Sequence, residues 1–219
     1  MNSIAVAWAV ARKDLTAEWR TRELVPALAQ FIVLALVIAN FGFQFDSQSA
    51  PSIAPGVLWM ALVFAGLVAF GRAFAAEREQ ASLEAMLMTP AAPAAIFAGK
   101  ATAAALMLIV CEAVMLPSLA LFFAVNISFG VVAAVLLATV GMALLGCLFA
   151  AMVARIRARE LLLPLLTLPL WIPLVVAGGT AVQVEMGGGS NDQAMALLVD
   201  FDILFLVLTS LAARFVLED

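Results

Sequence analysis

Six apolar stretches, each long enough to cross a bilayer, constrain this chain more than any other feature of its sequence. They cover residues 24–43, 55–74, 98–125, 127–153, 161–182 and 194–216. A helix needs about 20 apolar residues to cross a hydrocarbon core roughly 30 Å thick. Charged residues make up 12% of the chain, against about 25% in globular proteins, so a soluble domain could not cover this much apolar side chain. The sequence therefore predicts an all-α membrane protein with six transmembrane helices.

The basic residues support this assignment of spans. All eleven Lys and Arg residues fall on one side of the six predicted helices. The opposite loops carry Asp46, Glu185 and Asp192 instead. Because Lys and Arg concentrate in cytoplasmic loops, the pattern predicts a multi-pass protein of the cytoplasmic (inner) membrane with both termini in the cytoplasm.

Residues 1–22, before the first span, predict an amphipathic helix that Asn2 or Ser3 can cap. Its apolar residues recur at near-helical spacing: Ile4, Trp8, Leu15 and Trp19. Its charged residues occupy other faces: Arg12, Lys13, Asp14, Glu18 and Arg20. We expect an interfacial helix, with its tryptophans at the level of the lipid headgroups and its charged side in water.

Residues 76–90, between the second and third spans, form the longest polar, helix-favouring segment, AEREQASLEAMLMTP. Leu83, Met86 and Leu87 make one apolar stripe on a short helix. The charged residues are Glu77, Arg78, Glu79 and Glu84. Pro90 ends the helix, because the residue before a proline avoids helical geometry. Two interpretations stay open: the helix docks on a soluble partner, or it lies on the lipid surface.

Glu112 lies about halfway along the third predicted span, with Pro117 shortly after it. A carboxylate at that depth costs roughly 2.5–3.5 kcal/mol, so it should face other protein or a water-filled cavity. Pro117 frees a backbone carbonyl and can kink the helix. Glu112 then either lines a pathway between helices or is a carboxyl group bonded to a neighbouring helix.

The fifth span reads LLLPLLTLPLWIP and contains Pro164, Pro169, Trp171 and Pro173. Because prolines cannot donate backbone hydrogen bonds, we expect that helix to be bent or broken. Broken helices often line substrate routes, and a packing irregularity is the alternative. In the last span, Asp200 and Asp202 are interpreted as interfacial charges near the outer face.

Several kinds of chemistry are not expected of this chain. It contains no histidine, the commonest metal ligand and the usual general base near neutral pH. Cys111 and Cys147 lie in apolar runs and are interpreted as small buried hydrophobes. Gly99-Lys100 is the nearest echo of a phosphate-binding loop, but Ala94 and Ala101 replace its first glycine and its Ser or Thr. We therefore predict no catalytic residue, no metal site and no ATP hydrolysis by this chain.

The N-terminal helix, the six spans and the E-R-E-x-x-S-L-E segment together resemble the membrane subunits of ABC exporters. Within that group, the chain is similar to the cytochrome c maturation protein B family, also called haem exporter protein B. The similarity covers nearly the whole chain. Its matching pieces are residues 12–15, 20–23, 54–59, 72–74, 82–84 and 168–174, with Pro90 and Lys100.

This resemblance implies a single transmembrane permease domain over residues 1–219, in an ABC complex for haem export or haem delivery in cytochrome c biogenesis. It implies a separate ATPase subunit, as a dimer, that binds ATP and docks on a coupling helix at residues 76–90. It also implies a haem-handling membrane protein C and a haem chaperone. Haem is then a transported or neighbouring ligand. The chain either passes haem itself or, as we favour slightly, couples ATP hydrolysis to release of the loaded chaperone.

Two other functions stay open at this point. One is an ABC exporter permease for another substrate, such as a lipid or a drug. The other is an ion-coupled carrier or scaffold, for which Glu112 would be the central residue. Membrane lipid is an expected contact in every case, and nucleic acid is not an expected partner.

Overall fold

The computed structural model describes residues 3–43, 50–74, 92–154, 156 and 158–218. Within these ranges the chain forms seven α-helices and no strand. In chain order they are α1 Ser3–Thr21, α2 Leu24–Phe43, α3 Ala50–Arg72, α4 Pro93–Phe123, α5 Phe129–Val153, α6 Arg159–Met186 and α7 Asp192–Glu218. Six of these described helices, α2 to α7, are long and apolar enough to cross a membrane. The all-α class and the six predicted spans are confirmed.

Helix α5 lies at the centre of the bundle and packs against α3, α4, α6 and α7. Two glycines let neighbouring helices approach it closely. The Phe70 ring of α3 lies directly on Gly146, and Leu174 of α6 lies on Gly141. Small residues allow close packing between membrane helices. The core of the described bundle is therefore built around one small-residue helix.

The proline-rich helix α6 is continuous. It runs from Arg159 to Met186 with Pro164, Pro169 and Pro173 inside it, and α4 likewise runs through Pro117. Of the two outcomes expected for the fifth span, bent or broken, the continuous helix excludes a break, and a bend stays a prediction. Neighbouring helices hold α6 together, since proline is tolerated in a spanning helix where packing and side-chain hydroxyls re-satisfy the backbone. The Thr167 hydroxyl, between two of the prolines, donates to the Leu163 carbonyl of the same helix at 2.8 Å.

Helices α1 and α2 follow α4 in the same direction. Four contacts occur in the same order along both: Val6 with Ala95, Asp14 with Lys100, Val25 with Cys111, and Asn40 with Phe122. The first two lie on α1 and the last two on α2. Helix α1 therefore lies along the first turns of α4, and α2 along its second half.

Two acidic residues of α1 face protein, in contrast to the expectation that its charged side faces water. The Glu18 carboxylate accepts hydrogen bonds from the backbone N–H groups of Leu24 at 3.0 Å and Val25 at 2.8 Å. It thereby caps the N-terminus of α2, where an acidic group is favoured. Asp14 points toward α4. The exposed tryptophans Trp8 and Trp19 fit the predicted interfacial placement, which stays a prediction.

Replacing Gly178 by alanine is expected to destabilise the bundle. A Cβ at this position of α6 would overlap the indole ring of Trp59 on α3, and Trp59 is buried, so its ring has little room to move. Overpacking of this kind costs about 1–3 kcal/mol. The measurement is the midpoint of thermal unfolding in detergent, followed by size-exclusion chromatography.

Gly56→Ala is the matched control for Gly178→Ala. It also lies inside a helix, but nothing comes within 4 Å of its added Cβ. Replacing a helical glycine by alanine without a clash should raise stability by roughly 0.5–1 kcal/mol. Equal midpoints for the two variants would contradict the described contact between α3 and α6.

Candidate functional site

The two ends of the segment predicted to couple to an ATPase lie in the described part of the chain. Helix α3 ends at Arg72 and is followed by Ala73 and Phe74, and α4 begins at Pro93. The segment itself, residues 76–90, lies outside the described residues. The same is true of its seven predicted docking residues, Glu77, Arg78, Glu79, Leu83, Glu84, Met86 and Leu87. Their role stays a prediction. The structure does describe the residues that flank the segment on both sides, and their contacts follow.

A buried lysine joins three helices at these ends. The Lys100 ammonium of α4 lies 2.9 Å from Oδ2 of Asp14 on α1. It also donates to the Ala73 carbonyl, just after α3, at 2.9 Å. The ammonium lies 5.5 Å from the centre of the Phe74 ring, within range of a cation–π contact. We call Asp14, Ala73, Phe74 and Lys100 the Lys100 junction.

Gly99 explains why the junction can form. A Cβ at residue 99 would lie 2.5 Å from the Ala7 carbonyl oxygen and 2.7 Å from Cβ of Val10. The backbone of α1 therefore lies directly on α4 at this point. Asp14 follows one turn after Val10, on the same face of α1, which brings its carboxylate to Lys100.

Lys100 is one of the eleven basic residues on one side of the predicted spans, but it is not exposed at the end of its helix. It lies within α4 and is 2% exposed, because its ammonium finds a carboxylate and a carbonyl inside the protein. Lys13 also approaches Asp14, at 3.3 Å, but its side chain is half exposed. Gly99 and Lys100, the echo of a phosphate-binding loop, serve helix packing and ion pairing instead.

Glu112 lies in the contact between α4 and α5. Its side chain is 3% exposed, and the Thr139 hydroxyl of α5 donates to its Oε1. The other oxygen, Oε2, has no hydrogen-bond partner among the described residues. Of the two roles left open by the sequence, the carboxyl group bonded to a neighbouring helix is the one seen. A role in lining a pathway stays a prediction.

Asp202 corrects the expectation of an interfacial charge. It lies about 15 Å into α7, at 1.5 Å per residue, and its Oδ1 packs against Gly141 of α5, where a Cβ would lie 2.6 Å from that oxygen. Asp200 is exposed, as expected. A carboxyl group inside a span is costly unless it faces protein, and the glycine on α5 gives Asp202 room to do so. Helix α5 thus contacts two carboxyl groups of neighbouring helices: Glu112 at Thr139 and Asp202 at Gly141.

Of the other five predicted pathway residues, Pro117 lies on α4 with Glu112, and the remaining four lie on α6. Trp171 is buried in the contact between α6 and α3, with its ring centre 5.6 Å from that of Phe70 in an edge-on arrangement. Pro173 lines an apolar groove of about 450 Å³ between α6 and α7. Pro117 and Pro169 are exposed and Pro164 is partly buried. The structure therefore distributes these six residues over several contacts and does not bring them into one site.

The cysteines have the expected structural character. Cys111 and Cys147 are both buried and unpaired with each other. Among the residues that the structure describes, no group of three or more Cys, Asp or Glu side chains is placed to hold a metal ion.

Comparison with known proteins finds one family along almost the whole chain. Residues 5–218 match the family model described as CcmB protein. The chain is 31% identical over 189 residues to heme exporter protein B of Paracoccus denitrificans, covering 85% of this chain and 86% of that protein. It is 30% identical over 197 residues to heme exporter protein B of Pseudomonas aeruginosa, covering 88% and 87%. A third similar protein, heme exporter protein B of Bradyrhizobium diazoefficiens, is 30% identical over 190 residues, covering 84% of each chain.

Proposed function

The chain belongs to the CcmB protein family, and from this membership we propose that it is the membrane permease subunit of an ABC transporter for haem export in cytochrome c biogenesis. The observation that carries the proposal is the family match over residues 5–218, which spans all seven described helices. The name of the similar proteins, heme exporter protein B, indicates haem as the substrate. Six helices long enough to cross a membrane fit a permease.

The energy source of this permease is a separate ABC ATPase subunit. The sequence supports this, because Ala94 and Ala101 stand where a phosphate-binding loop needs glycine and Ser or Thr. ATP therefore binds on a partner, expected as a dimer. The partner docks on the stripe of Leu83, Met86 and Leu87, and its closure on ATP moves residues 76–90 together with the flanking ends of α3 and α4.

We favour mechanical coupling over passage of haem through this chain. The chain has no histidine, the proximal haem ligand in many proteins. Both cysteines are buried in the helix packing, so a haem held here would depend on apolar contact or methionine. In the favoured mechanism, movement of the helices releases a haem-loaded chaperone from a complex that also contains the haem-handling membrane protein C.

The same proposal places the protein in the inner membrane with both termini in the cytoplasm. Its support is the one-sided distribution of the eleven Lys and Arg residues, since basic residues concentrate in cytoplasmic loops. In this orientation residues 76–90 face the compartment that supplies ATP.

Affinity purification of the intact protein in mild detergent tests the function. We expect a small ABC ATPase and haem-pathway membrane proteins to co-purify, identified by mass spectrometry. Deletion of the gene in its own organism should abolish haem-stained c-type cytochromes, and the intact chain should restore them.

Other results would assign other functions. An ATPase without haem-pathway proteins, together with normal cytochromes in the deletion strain, would indicate an exporter for another substrate. No ATPase in several detergents would contradict the proposal and favour an ion-coupled carrier or scaffold, with Glu112 as the next residue to change.

A further inference from the structure

We propose that Lys100 is a positioning residue that makes α1 move together with both ends of the coupling segment. This inference rests on the proposed function, because it concerns how movement started by the ATPase reaches the spans. It assigns to α1 a role in coupling, and not only in anchoring the chain at the membrane surface.

The geometry carries this inference. The ammonium of Lys100 on α4 makes one short contact to the Asp14 carboxylate of α1 and another to the Ala73 carbonyl after α3, each of 2.9 Å. Ala73 lies just before the segment and Lys100 lies shortly after it. One cation therefore holds the two ends of the segment and attaches α1 to both.

The burial of Lys100 makes this attachment stiff. The side chain is 2% exposed, so water cannot replace a lost partner. Breaking a buried ion pair leaves an uncompensated charge, which is strongly unfavourable. A displacement of α3 or α4 at this end is therefore carried to Asp14, instead of being absorbed by separation of the helices.

A second set of contacts continues the path beyond α1. Glu18, one turn after Asp14 on α1, accepts hydrogen bonds from the backbone N–H groups of Leu24 and Val25, at the start of α2. Movement of α1 thus reaches the first span directly. The chain of contacts runs from the segment ends through Lys100 and Asp14 to Glu18 and α2.

The test compares Lys100→Met with Lys13→Met in the intact complex in the organism's own membrane. Both substitutions remove one lysine charge near Asp14, but Lys13 lies on α1 itself and its side chain is half exposed, whereas Lys100 lies on α4 and is buried. Three quantities are measured for each variant: the amount of ATPase that co-purifies, the ATP turnover of the complex, and haem-stained cytochrome c.

For Lys100→Met we expect normal ATPase binding and ATP turnover, with holocytochrome c at least about fivefold lower, the lower end of common coupling effects. Lys13→Met should stay within about twofold of the unchanged protein. The double variant of Lys100→Met with Asp14→Asn removes both charges of the pair and should lower holocytochrome c no more than Lys100→Met alone, since effects through one contact are not additive.

Several results would overturn the inference. Holocytochrome c in Lys100→Met and in the double variant equal to that in Lys13→Met would do so. A loss that only follows the loss of bound ATPase would assign the junction to docking of the ATPase, and failure of both variants to accumulate would assign it to folding. If the unchanged protein itself binds no ATPase, the proposed function has failed. If it binds ATPase and supports cytochrome c formation, only the inference about Lys100 is at risk.

Discussion

Glu112→Lys is expected to abolish accumulation of the folded protein, whereas Glu112→Gln is expected to preserve it. At residue 112 the side chain is 3% exposed, and its one described partner is the Thr139 hydroxyl. An ammonium group there would lack a counter-charge, and an uncompensated buried charge costs about 3–5 kcal/mol. Glutamine has nearly the same volume and keeps an oxygen that accepts from Thr139. Immunoblots of the membrane fraction and the size-exclusion profile in detergent measure the difference.

Thr102→Lys is the control, because it introduces a lysine at an exposed position of the same helix instead of a buried one. Thr102 lies on the same helix, α4, but in its N-terminal third and exposed. A lysine can extend there to the membrane surface, so accumulation should stay near normal. Equal loss in Glu112→Gln and Glu112→Lys would contradict the prediction. Normal accumulation of Glu112→Gln without holocytochrome c would show that the carboxylate itself is needed, and would favour the ion-coupled alternative.

The spans could be predicted from the sequence because their signal is local. A run of apolar residues such as 127–153 needs no knowledge of its neighbours to indicate a membrane helix, since its length alone meets the bilayer. The structure places α5 at Phe129–Val153, close to that range. The predicted packing character of Cys111 and Cys147 is confirmed for the same reason: both lie in the middle of apolar runs.

The Lys100 junction could not be predicted, because it depends on two residues far apart in the sequence. A lysine near the start of a span usually indicates a side chain that extends to the surface, and Asp14 on a charged helix usually indicates a face in water. Only the close approach of α1 at Gly99 shows that these two charges are partners. The contact of Asp202 could not be predicted for the same reason, since Gly141, the residue it packs against, lies on another helix.

Of the two outcomes that the prolines of the fifth span predict, bent or broken, a break does not occur because helix packing opposes it. Three prolines would disrupt an isolated helix in water. In α6 they lie within a continuous helix whose Trp171 is buried against Phe70 of α3. A broken helix at that place would expose backbone groups to hydrocarbon, which is more costly than a helix that lacks a few hydrogen bonds.

Leu83→Asp and Leu87→Asp are expected to uncouple the ATPase without changing insertion into the membrane. Both residues belong to the apolar stripe of residues 76–90, which lies outside the described part of the chain, so the expectation rests on helical spacing. Each substitution replaces an apolar side chain of the docking contact by a carboxylate, and so removes an apolar anchor. Loss of such an anchor costs about 2 kcal/mol or more, or roughly 30-fold in affinity at 1.4 kcal/mol per tenfold. Co-purification of the ATPase and holocytochrome c formation should both fall, while the amount of protein in the membrane stays normal.

Ala85→Asp separates a lost contact from an added charge. Residue 85 lies on the opposite side of the predicted helix from Leu83, because two residues turn a helix by about 200°, so the same charge there should leave ATPase binding intact. Unchanged ATPase binding and turnover in both leucine variants would overturn the docking role. The two interpretations of the segment predict different results for these variants. If the stripe binds lipid instead, the leucine variants weaken contact with the membrane surface but keep the ATPase. If it binds the ATPase, the partner is lost while all six spans remain inserted.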